Sequence, residues 1–272
     1  MRILGLRIHV DTRRGYREGV PRLLDLMDEL DTRGSFFFGM GTEGSGSMVS
    51  RVLGQDGEIV ASAPGILRDV HRRGQDCGVC GWNPLKWQTH LDKMKDTTLE
   101  AEIRRSVEHF TQRTGIRPSG FASPGFRVNY MSLRSQDEAR FKYCSDTFGL
   151  HPYRPKISWK TFSTPQIPAT VPPLETILKK KTASEAERAL GDLAEYLPEG
   201  LSVLPMSAIV AAATETLAPL HGFLSRCRAE GVRFVGLDTV ARSLDPDSLP
   251  ICEVVNVRVS GMPQEVGSQS LE

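Results

Sequence analysis

The chain of 272 residues lacks a long apolar run, a large net charge and a dense set of cysteines. No stretch approaches the ~20 apolar residues that are needed to cross a membrane, and no charged-then-apolar signal segment opens the chain. A net charge of +1 gives no electrostatic footprint for nucleic acid. Five cysteines without a secretion signal favour free thiols in a reducing compartment. We therefore expect a cytoplasmic protein with no transmembrane segment and no nucleic-acid partner.

Apolar periodicity alternates between strand-like and helix-like segments along the chain. Residues 3–10 read as a strand, and apolar residues at helical spacing follow over 20–30. The apolar run at 36–38, bounded by glycines, is typical of a buried parallel strand. Helical spacing returns over 103–110 and ends before Gly115, a C-cap residue. This alternation predicts an α/β fold built from parallel βα units.

Several short segments match, in order, the motifs of one known family. They are LRIHVDT (6–12), GSFFFG (34–39), DCGVCGW (76–82), PGFR (124–127), YCSD (143–146), PYRP (152–155) and QIP (166–168). Together they resemble the NodB-type polysaccharide deacetylases, and more specifically the deformylases that act on 4-deoxy-4-formamido-L-arabinose linked to undecaprenyl phosphate. Any one of these short motifs alone would be a weak signal.

The resemblance implies a fold and a domain boundary. It predicts a distorted, incomplete (β/α) barrel over residues 1–243, followed by a C-terminal extension over 244–272. The terminal pair Leu271 and Glu272 resembles a cloning remnant, so it is excluded from functional reasoning. In such barrels the reactive groups sit at the carboxyl ends of the strands.

The departures from the family fall on its reactive positions. His9 stands where the family has its first acid, so that only Asp11 remains of the acid pair. Cys80 and Pro84 occupy the places of the metal-binding histidines, and Pro205 occupies that of a later histidine. Proline offers no side-chain lone pair, whereas a catalytic zinc normally takes three protein ligands. We therefore expect no metal cofactor, and a divalent-metal site rebuilt from His9, Asp11 and Cys80 is left open.

The replacements also suggest a second chemistry. Cys80, His9 and Asp11 could act as nucleophile, base and orienting acid, with Arg127 pairing Asp11 or binding an anion. The plainer alternatives are a buried thiol, a core histidine and a surface ion pair. Asp11, Cys80, Arg127 and Pro205 are all expected at strand ends.

Further positions indicate the chemical class of the ligand. Arginines near a barrel mouth suit a phosphate or sugar-acid group, and a sugar ring could stack on tryptophan, although both tryptophans could equally be core. The segment 47–74 contains no aromatic residue, so we infer a ligand that is not embedded in a bilayer. The predicted ligand-binding residues are Thr12, Arg14, Arg17, Trp82, Trp87, Asp146 and Arg154.

Three functions remain open at this level. In the first, the chain has lost the metal-dependent amide hydrolysis of the family and binds a sugar or related small polar metabolite. Alternatively it is a metal-free enzyme that uses His9, Asp11, Cys80 and Arg127 for amide or formamide hydrolysis, acyl transfer, isomerisation or cyclisation. The third is an interaction protein, a homo-oligomer or a subunit of a biosynthetic assembly, that docks through the loop 158–173.

Overall fold

The computed structural model describes residues 1–43 and 57–271 of the chain. The first part of the aromatic-free segment 47–74 and the terminal Glu272 therefore lie outside the described residues. The strands, numbered along the chain, are β1 (Arg2–Val10), β2 (Gly34–Phe38), β3 (Asp76–Val79), β4 (Gly120–Phe121), β5 (Tyr143–Cys144), β6 (Arg154–Ile157), β7 (Lys160–Thr161), β8 (Gly200–Ser207), β9 (Arg233–Val235), β10 (Ile251–Val257) and β11 (Val266–Gln269).

The helices surround these strands. They are α1 (Val20–Glu29), α2 (Ile66–Arg72), α3 (Pro84–His90), α4 (Asp96–Thr114), α5 (Tyr130–Glu138), α6 (Leu174–Leu178), α7 (Ala183–Glu195), α8 (Ala208–Ala211), α9 (Thr214–Ala229) and α10 (Leu237–Ser243). A π-helical turn spans Gly15–Gly19, and short 3₁₀ turns span Val60–Ser62, Leu91–Lys93 and Pro124–Phe126. No helix among the described residues is both long and apolar enough to span a bilayer.

A parallel sheet of seven strands forms the centre of the described structure. Its order is β5-β4-β3-β2-β1-β8, with β9 paired to the first half of β1. All of its pairings are parallel, so the carboxyl ends of the strands meet at one rim. The predicted alternation of strands and helices is confirmed, including the left-handed Gly115 (φ 78°) after α4.

The sheet curls into a barrel that irregular backbone, rather than a strand, completes. The segment 165–171 runs between β5 and β8. On one side Cys144 N donates to Pro165 O at 2.8 Å, and Ile167 N donates to Cys144 O at 2.8 Å. On the other side Thr170 N donates to Val203 O at 3.2 Å. The barrel is therefore distorted and incomplete in its strands, as predicted.

The amino end of the barrel is closed by α10. Leu237 belongs to a buried cluster with Phe37, Tyr143 and Val203 inside the barrel. The Asp76 carboxylate fixes this plug, because it accepts hydrogen bonds from Asp238 N (2.9 Å) and Tyr143 OH (2.7 Å). This end of the barrel is held by a polar network over an apolar interior.

The C-terminal residues after 243 pack back onto the barrel. β10 pairs in parallel with β6 and antiparallel with β11 in a second, four-stranded sheet. Val266 is fully buried beside Phe126 and Ala169. The residues after α10, which ends at Ser243, pack against the core, and residues 261–263 reach the carboxyl-end rim.

Candidate functional site

The site begins with the alternation of side chains along β1. Leu6, Ile8 and Val10 point to one face, where they join the main apolar cluster. Successive strand residues point to opposite faces, so Arg7 and His9 point into the barrel. Asp11 follows the strand at its carboxyl end. Strand β1 is therefore buried on both faces, and its polar side chains lie on the inner face only.

A cavity of about 280 Å³ opens at the carboxyl ends of β1 and β8. The chain after β4, the helices α3 and α6 and the C-terminal loop form its remaining walls. Its lining residues are Arg7, His9, Asp11, Gln88, Gly125, Phe126, Pro173, Glu175, Thr176, Pro205, Met206, Ser207, Gly261, Met262 and Pro263. The structure therefore brings His9 and Asp11 together, as predicted, and adds Arg7 and Glu175, which sequence reasoning did not assign to the site.

Arg7 is a buried cation held by backbone carbonyls. Its Nε and Nη2 donate to Ser145 O at 2.9 and 2.7 Å, and Nη2 also donates to Ser123 O at 3.3 Å. Its guanidinium carbon lies 4.2 Å from the centre of the Phe126 ring. Burial lowers the pKa of Arg7 to about 10, against the opposing effect of the Asp146 carboxylate. Arg7 remains charged at neutral pH, but much of its donor capacity is already used.

His9 is a neutral imidazole with an unused ring nitrogen. The residue is 9% exposed, and its Nε2 atom is buried without a hydrogen-bond partner among the described residues. Burial lowers the pKa of His9 well below its ordinary value, and the neighbouring Arg7 cation adds to this effect. A buried polar atom left unpaired costs free energy, so this nitrogen is an unsatisfied group in a residue that lines the cavity.

Two carboxylates complete the polar lining. Burial raises the pKa of Asp11, and the Glu43 carboxylate contributes in the same direction. Burial also raises the pKa of Glu175, although a hydrogen bond from Ser207 N opposes the shift. Asp11 adds to this shift by like-charge repulsion, since it is among the groups that raise the pKa of Glu175. The cavity therefore holds two acids and one cation around a neutral imidazole.

Cys80 lies behind this cavity instead of lining it. The residue directly follows β3, as predicted, but it is 0% exposed and packs with Phe37, Ala122 and Ile167 inside the barrel. Burial raises the pKa of its thiol well above the ordinary value, and Asp11 adds to the shift. Only the thiolate is an effective nucleophile. The structure thus departs from the predicted Cys–His–Asp arrangement, because the thiol is protonated and shielded from the cavity.

The residues at the family's ligand positions do not fit a catalytic divalent ion. Pro84 starts α3, which Asn83 caps by accepting from Lys86 N at 2.8 Å. Within residues 1–43 and 57–271, no three His, Cys, Asp or Glu side chains are grouped so that they could hold a metal. The rebuilt site at His9, Asp11 and Cys80 therefore lacks the necessary geometry in the structure.

Pro205 differs from its predicted place at a strand end. It lies within β8 and pairs with Arg7, while Ser207 ends the strand. Along this edge Val203 N donates to Thr170 Oγ1 at 2.9 Å, so the odd-numbered residues direct their backbone groups away from β1. Pro205 shares that side, where a missing N–H removes no bond between β1 and β8.

Arg127 also differs from its predicted role beside Asp11. It follows the 3₁₀ turn after β4, and its Nη1 donates to Glu265 O at 3.0 Å while Nη2 pairs with Asp92. Its side chain is 13% exposed and does not line the cavity. The guanidinium therefore joins the C-terminal segment to the segment after α3. This ion pair is the plainer of the two roles considered for Arg127.

The arginines that the sequence placed at the barrel mouth lie elsewhere. Arg14 pairs with Glu18 at 3.2 Å on the surface, and Arg17 is exposed on the π-helical turn. Arg154 belongs to β6 in the second sheet. Thr12 caps the turn by accepting from Gly15 N at 2.9 Å. These four residues are absent from the cavity lining, so the structure gives no support to a phosphate contact from them.

Trp82, Trp87 and Asp146 are structural in this arrangement. The Trp87 indole is fully buried, and its N–H donates to Arg127 O at 3.1 Å. Trp82 is 8% exposed and packs against His109, with ring centroids 4.7 Å apart. Asp146 is buried and accepts from Ser123 N at 2.7 Å. None of the three lines the cavity, so none of them is placed to contact a ligand bound there.

Arg7 and Glu175, the two residues that sequence reasoning did not assign to the site, differ in how readily the sequence could have identified them. Arg7 is a charge inside an otherwise apolar strand, two residues before His9, and that spacing could have placed it on the same face. Glu175 lies on a short helix that carries no motif, far along the chain from Asp11. Only the packing of that helix against β8 brings its carboxylate to the cavity.

Comparisons with known proteins agree with this architecture. Residues 11–144 match the family model "Polysaccharide deacetylase". A Shewanella sediminis protein named "Probable 4-deoxy-4-formamido-L-arabinose-phosphoundecaprenol deformylase ArnD" is 26% identical over 95% of this chain and 92% of its own length. A structure from Mycobacterium smegmatis, solved as a candidate polysaccharide deacetylase, superposes with a TM-score of 0.72 at 17% identity, covering 95% of this chain and 96% of that one.

Two further structural neighbours share the fold. A protein of Bacillus anthracis, described as a CE4 family pseudoenzyme, superposes with a TM-score of 0.60 at 13% identity, covering 89% of this chain and 66% of its own. A mutant of the same protein, described as having restored enzymatic activity, gives a TM-score of 0.58 at 12% identity, covering 89% of this chain and 68% of that one. At these identities the likeness shows the fold alone. By its motifs, its barrel architecture and the match over residues 11–144, the chain contains a polysaccharide deacetylase domain.

Proposed function

We propose that this chain binds a small, polar, sugar-like metabolite in the cavity beside His9 and does not carry out the metal-dependent amide hydrolysis of its family. One observation carries the proposal. The His9 imidazole lines a cavity beside Asp11 and Pro205, and Cys80 and Pro84 stand at the positions of the family's metal-binding histidines. The cavity has kept its place at the carboxyl rim while its coordinating side chains have been replaced.

Coordination chemistry supports the loss of the metal. Asp11 is the one acid left at the family's ligand positions, and a single carboxylate does not supply the three protein ligands of a catalytic zinc. Cys80 is a ligand type that zinc accepts as a thiolate, but burial raises the pKa of its thiol well above the ordinary value and so opposes deprotonation. The existence of a related-fold protein described as a pseudoenzyme is consistent with this proposal.

The class of ligand is proposed from the relative's name and from the cavity. The Shewanella sediminis relative is named for a formamido-arabinose substrate, and a cavity of about 280 Å³ is near the lower end of small-molecule sites. A cytoplasmic location is part of the proposal, supported by the five free cysteines. A second copy or a biosynthetic partner stays a prediction, for which Trp159, 82% exposed between β6 and β7, offers a surface.

The test is to measure bound zinc, nickel, cobalt and manganese after purification, and then formyl and acetyl release from amino-sugar amides. We expect less than stoichiometric metal and no turnover for the wild type. The combined variant His9→Asp, Cys80→His and Pro84→His restores the family's ligand types and should gain metal binding. A control, Cys227→His, places a histidine at another buried cysteine and should gain none. Stoichiometric metal with turnover in the wild type would overturn the proposal.

A second candidate is a metal-free enzyme. The observation that favours it is the presence of an imidazole and two carboxylates on one cavity, which is an acid–base set without a nucleophile. Proton-transfer reactions such as isomerisation or cyclisation fit this set better than the covalent chemistry of Cys80. Turnover that persists in chelator, is abolished by His9→Asn and is unchanged by Cys80→Ala would establish it over simple binding.

A further inference from the structure

A second cavity opens at the amino end of the barrel, opposite the rim that carries His9. Its volume is about 440 Å³, and four cationic side chains line it. Arg33, Arg117 and Lys142 stand one to three residues before β2, β4 and β5, and Arg242 lies on α10. Because the strands of this sheet are parallel and adjacent, their amino ends meet at one rim. Four cations that are distant in sequence are therefore brought to one cavity.

The two acids in the lining of this amino-end cavity are already paired within the protein. Asp76 accepts four hydrogen bonds, three from hydroxyl groups and one from the backbone N–H of Asp238. The Asp238 carboxylate accepts from Lys142 Nζ at 3.0 Å and pairs with Arg242 Nη2. These carboxylate oxygens therefore have little capacity left for a ligand.

The cations, in contrast, carry more donors than these bonds use. Arg33 Nη1 donates to Arg73 O at 3.0 Å, and Arg117 Nη2 donates to Ala139 O. Within the described residues, neither guanidinium forms an ion pair with a carboxylate. An arginine has five N–H donors and a lysine has three, so most of the donors in the lining remain open. Four cations and two carboxylates leave a formal charge of +2, with His71 neutral.

We propose that the amino-end cavity binds a soluble, phosphate-bearing metabolite, at a site separate from the cavity beside His9. Guanidinium groups bind phosphate oxygens through two parallel hydrogen bonds. A phosphate dianion matches a lining of +2, whereas a single carboxylate would leave half of that charge uncompensated. Ile116 is the one large aliphatic side chain among the described lining residues, and it is half-buried. A lipid surface normally needs exposed apolar anchors, so the lining favours a soluble ligand.

Binding at this cavity would link parts of the fold that are separate in sequence. Arg33 and Arg117 belong to the loops before β2 and β4, while Arg242 belongs to the helix that closes the barrel. A phosphate group held by all three would bridge α10 to these loops. A ligand that binds only the folded state stabilises it, so Tm should rise with ligand concentration.

The experiment is calorimetric titration of the full chain with pyrophosphate, and with succinate as a dicarboxylate probe. In about 0.15 M salt we expect a Kd for pyrophosphate below about 1 mM, and binding of succinate that is weaker by about tenfold or more. The double variant Arg33→Gln with Arg117→Gln should weaken pyrophosphate binding by about tenfold or more. The matched control is Arg233→Gln, which removes the same charge at the start of β9, on the same rim but outside the cavity. It should leave the Kd unchanged.

Three results would overturn the inference. The first is pyrophosphate that fails to bind at about 10 mM, or that binds no better than succinate. The second is an equal loss of affinity in Arg233→Gln, which would show a general attraction of anions to the rim. The third is sedimentation with phosphatidylglycerol vesicles that requires Arg33 and Arg117, which would assign these cations to a lipid surface.

The variants are expected to fold, because Arg33 and Arg117 are both exposed. If the double variant does not fold, each single variant carries the same test, with a loss of about threefold or more expected from each. The proposed function is decided separately, by the metal and hydrolysis assays, because those concern the opposite end of the barrel.

Discussion

Replacing Asp76 by alanine removes the acceptor that ties α10 to the amino end of the barrel. Four donors converge on this carboxylate: the hydroxyls of Ser35 (2.9 Å), Ser119 (2.6 Å) and Tyr143 (2.7 Å), and the Asp238 N–H (2.9 Å). A net contribution of about 1 kcal/mol each would give about 4 kcal/mol. Water can reach the half-buried Ser119, although Ser35 is fully buried, so we expect a loss of about 3 kcal/mol in the free energy of unfolding.

The assay is urea and thermal unfolding followed by circular dichroism. A loss of that size lowers Tm by about 6–12 °C for a domain of this length. Tyr143→Phe removes one of the four bonds from a fully buried side chain and should cost about 1 kcal/mol. The control Asp247→Ala, in an exposed turn, should be neutral. If Tm of the Asp76 variant stays within about 1 °C of the wild type, the network does not hold the plug.

Three further predictions follow from burial. Because burial raises the pKa of Glu102 above 4.5, the folded state holds its proton more tightly, and stability falls as pH rises from that value through the raised pKa. Urea unfolding should show that Glu102→Gln gains stability relative to the wild type over this pH interval. Glu108→Gln is the exposed control, and parallel profiles of stability against pH for Glu102→Gln and the wild type would refute the prediction. Native-state iodoacetamide should spare Cys80 until the chain unfolds, as read by peptide mass spectrometry, and rapid native labelling would show an accessible thiol. Gly41→Ala places a methyl group against the ring and carbonyl of Trp82 and should cost about 2–3 kcal/mol in urea unfolding, whereas an unchanged midpoint would show that the contact relaxes freely.

The fold could be predicted because its signals are local. The two-residue alternation over β1, the helical spacing in α1 and α4, and the glycine after α4 are each read within a few residues. Family motifs fixed the order of these elements, so Asp11 and Cys80 were placed correctly after β1 and β3. Side-chain direction on a strand follows from its period, which is why His9 was expected to face the barrel interior.

The composition of the site could not be predicted in the same way. Whether Arg127 meets Asp11 or Asp92, and whether Cys80 reaches the cavity or the barrel interior, depends on residues that are distant in sequence. Trp82 and Trp87 show the same limit, because an aromatic residue near a motif can stack on a ligand or fill the core. Burial is a property of the packed structure, so it cannot be read from the sequence neighbours of a single residue.

By itself, the sequence predicted an α/β barrel with His9 in place of the first acid of the family's opening motif and with Cys80, Pro84 and Pro205 at histidine positions. Coordination chemistry is a matter of residue type, so no coordinates were needed to see the replacement. Only the tertiary structure decided which groups now share the cavity. The chain after β5 closes the barrel and carries Glu175 to the end of β8, where hydrogen bonds between distant segments place a second acid beside Asp11 and His9.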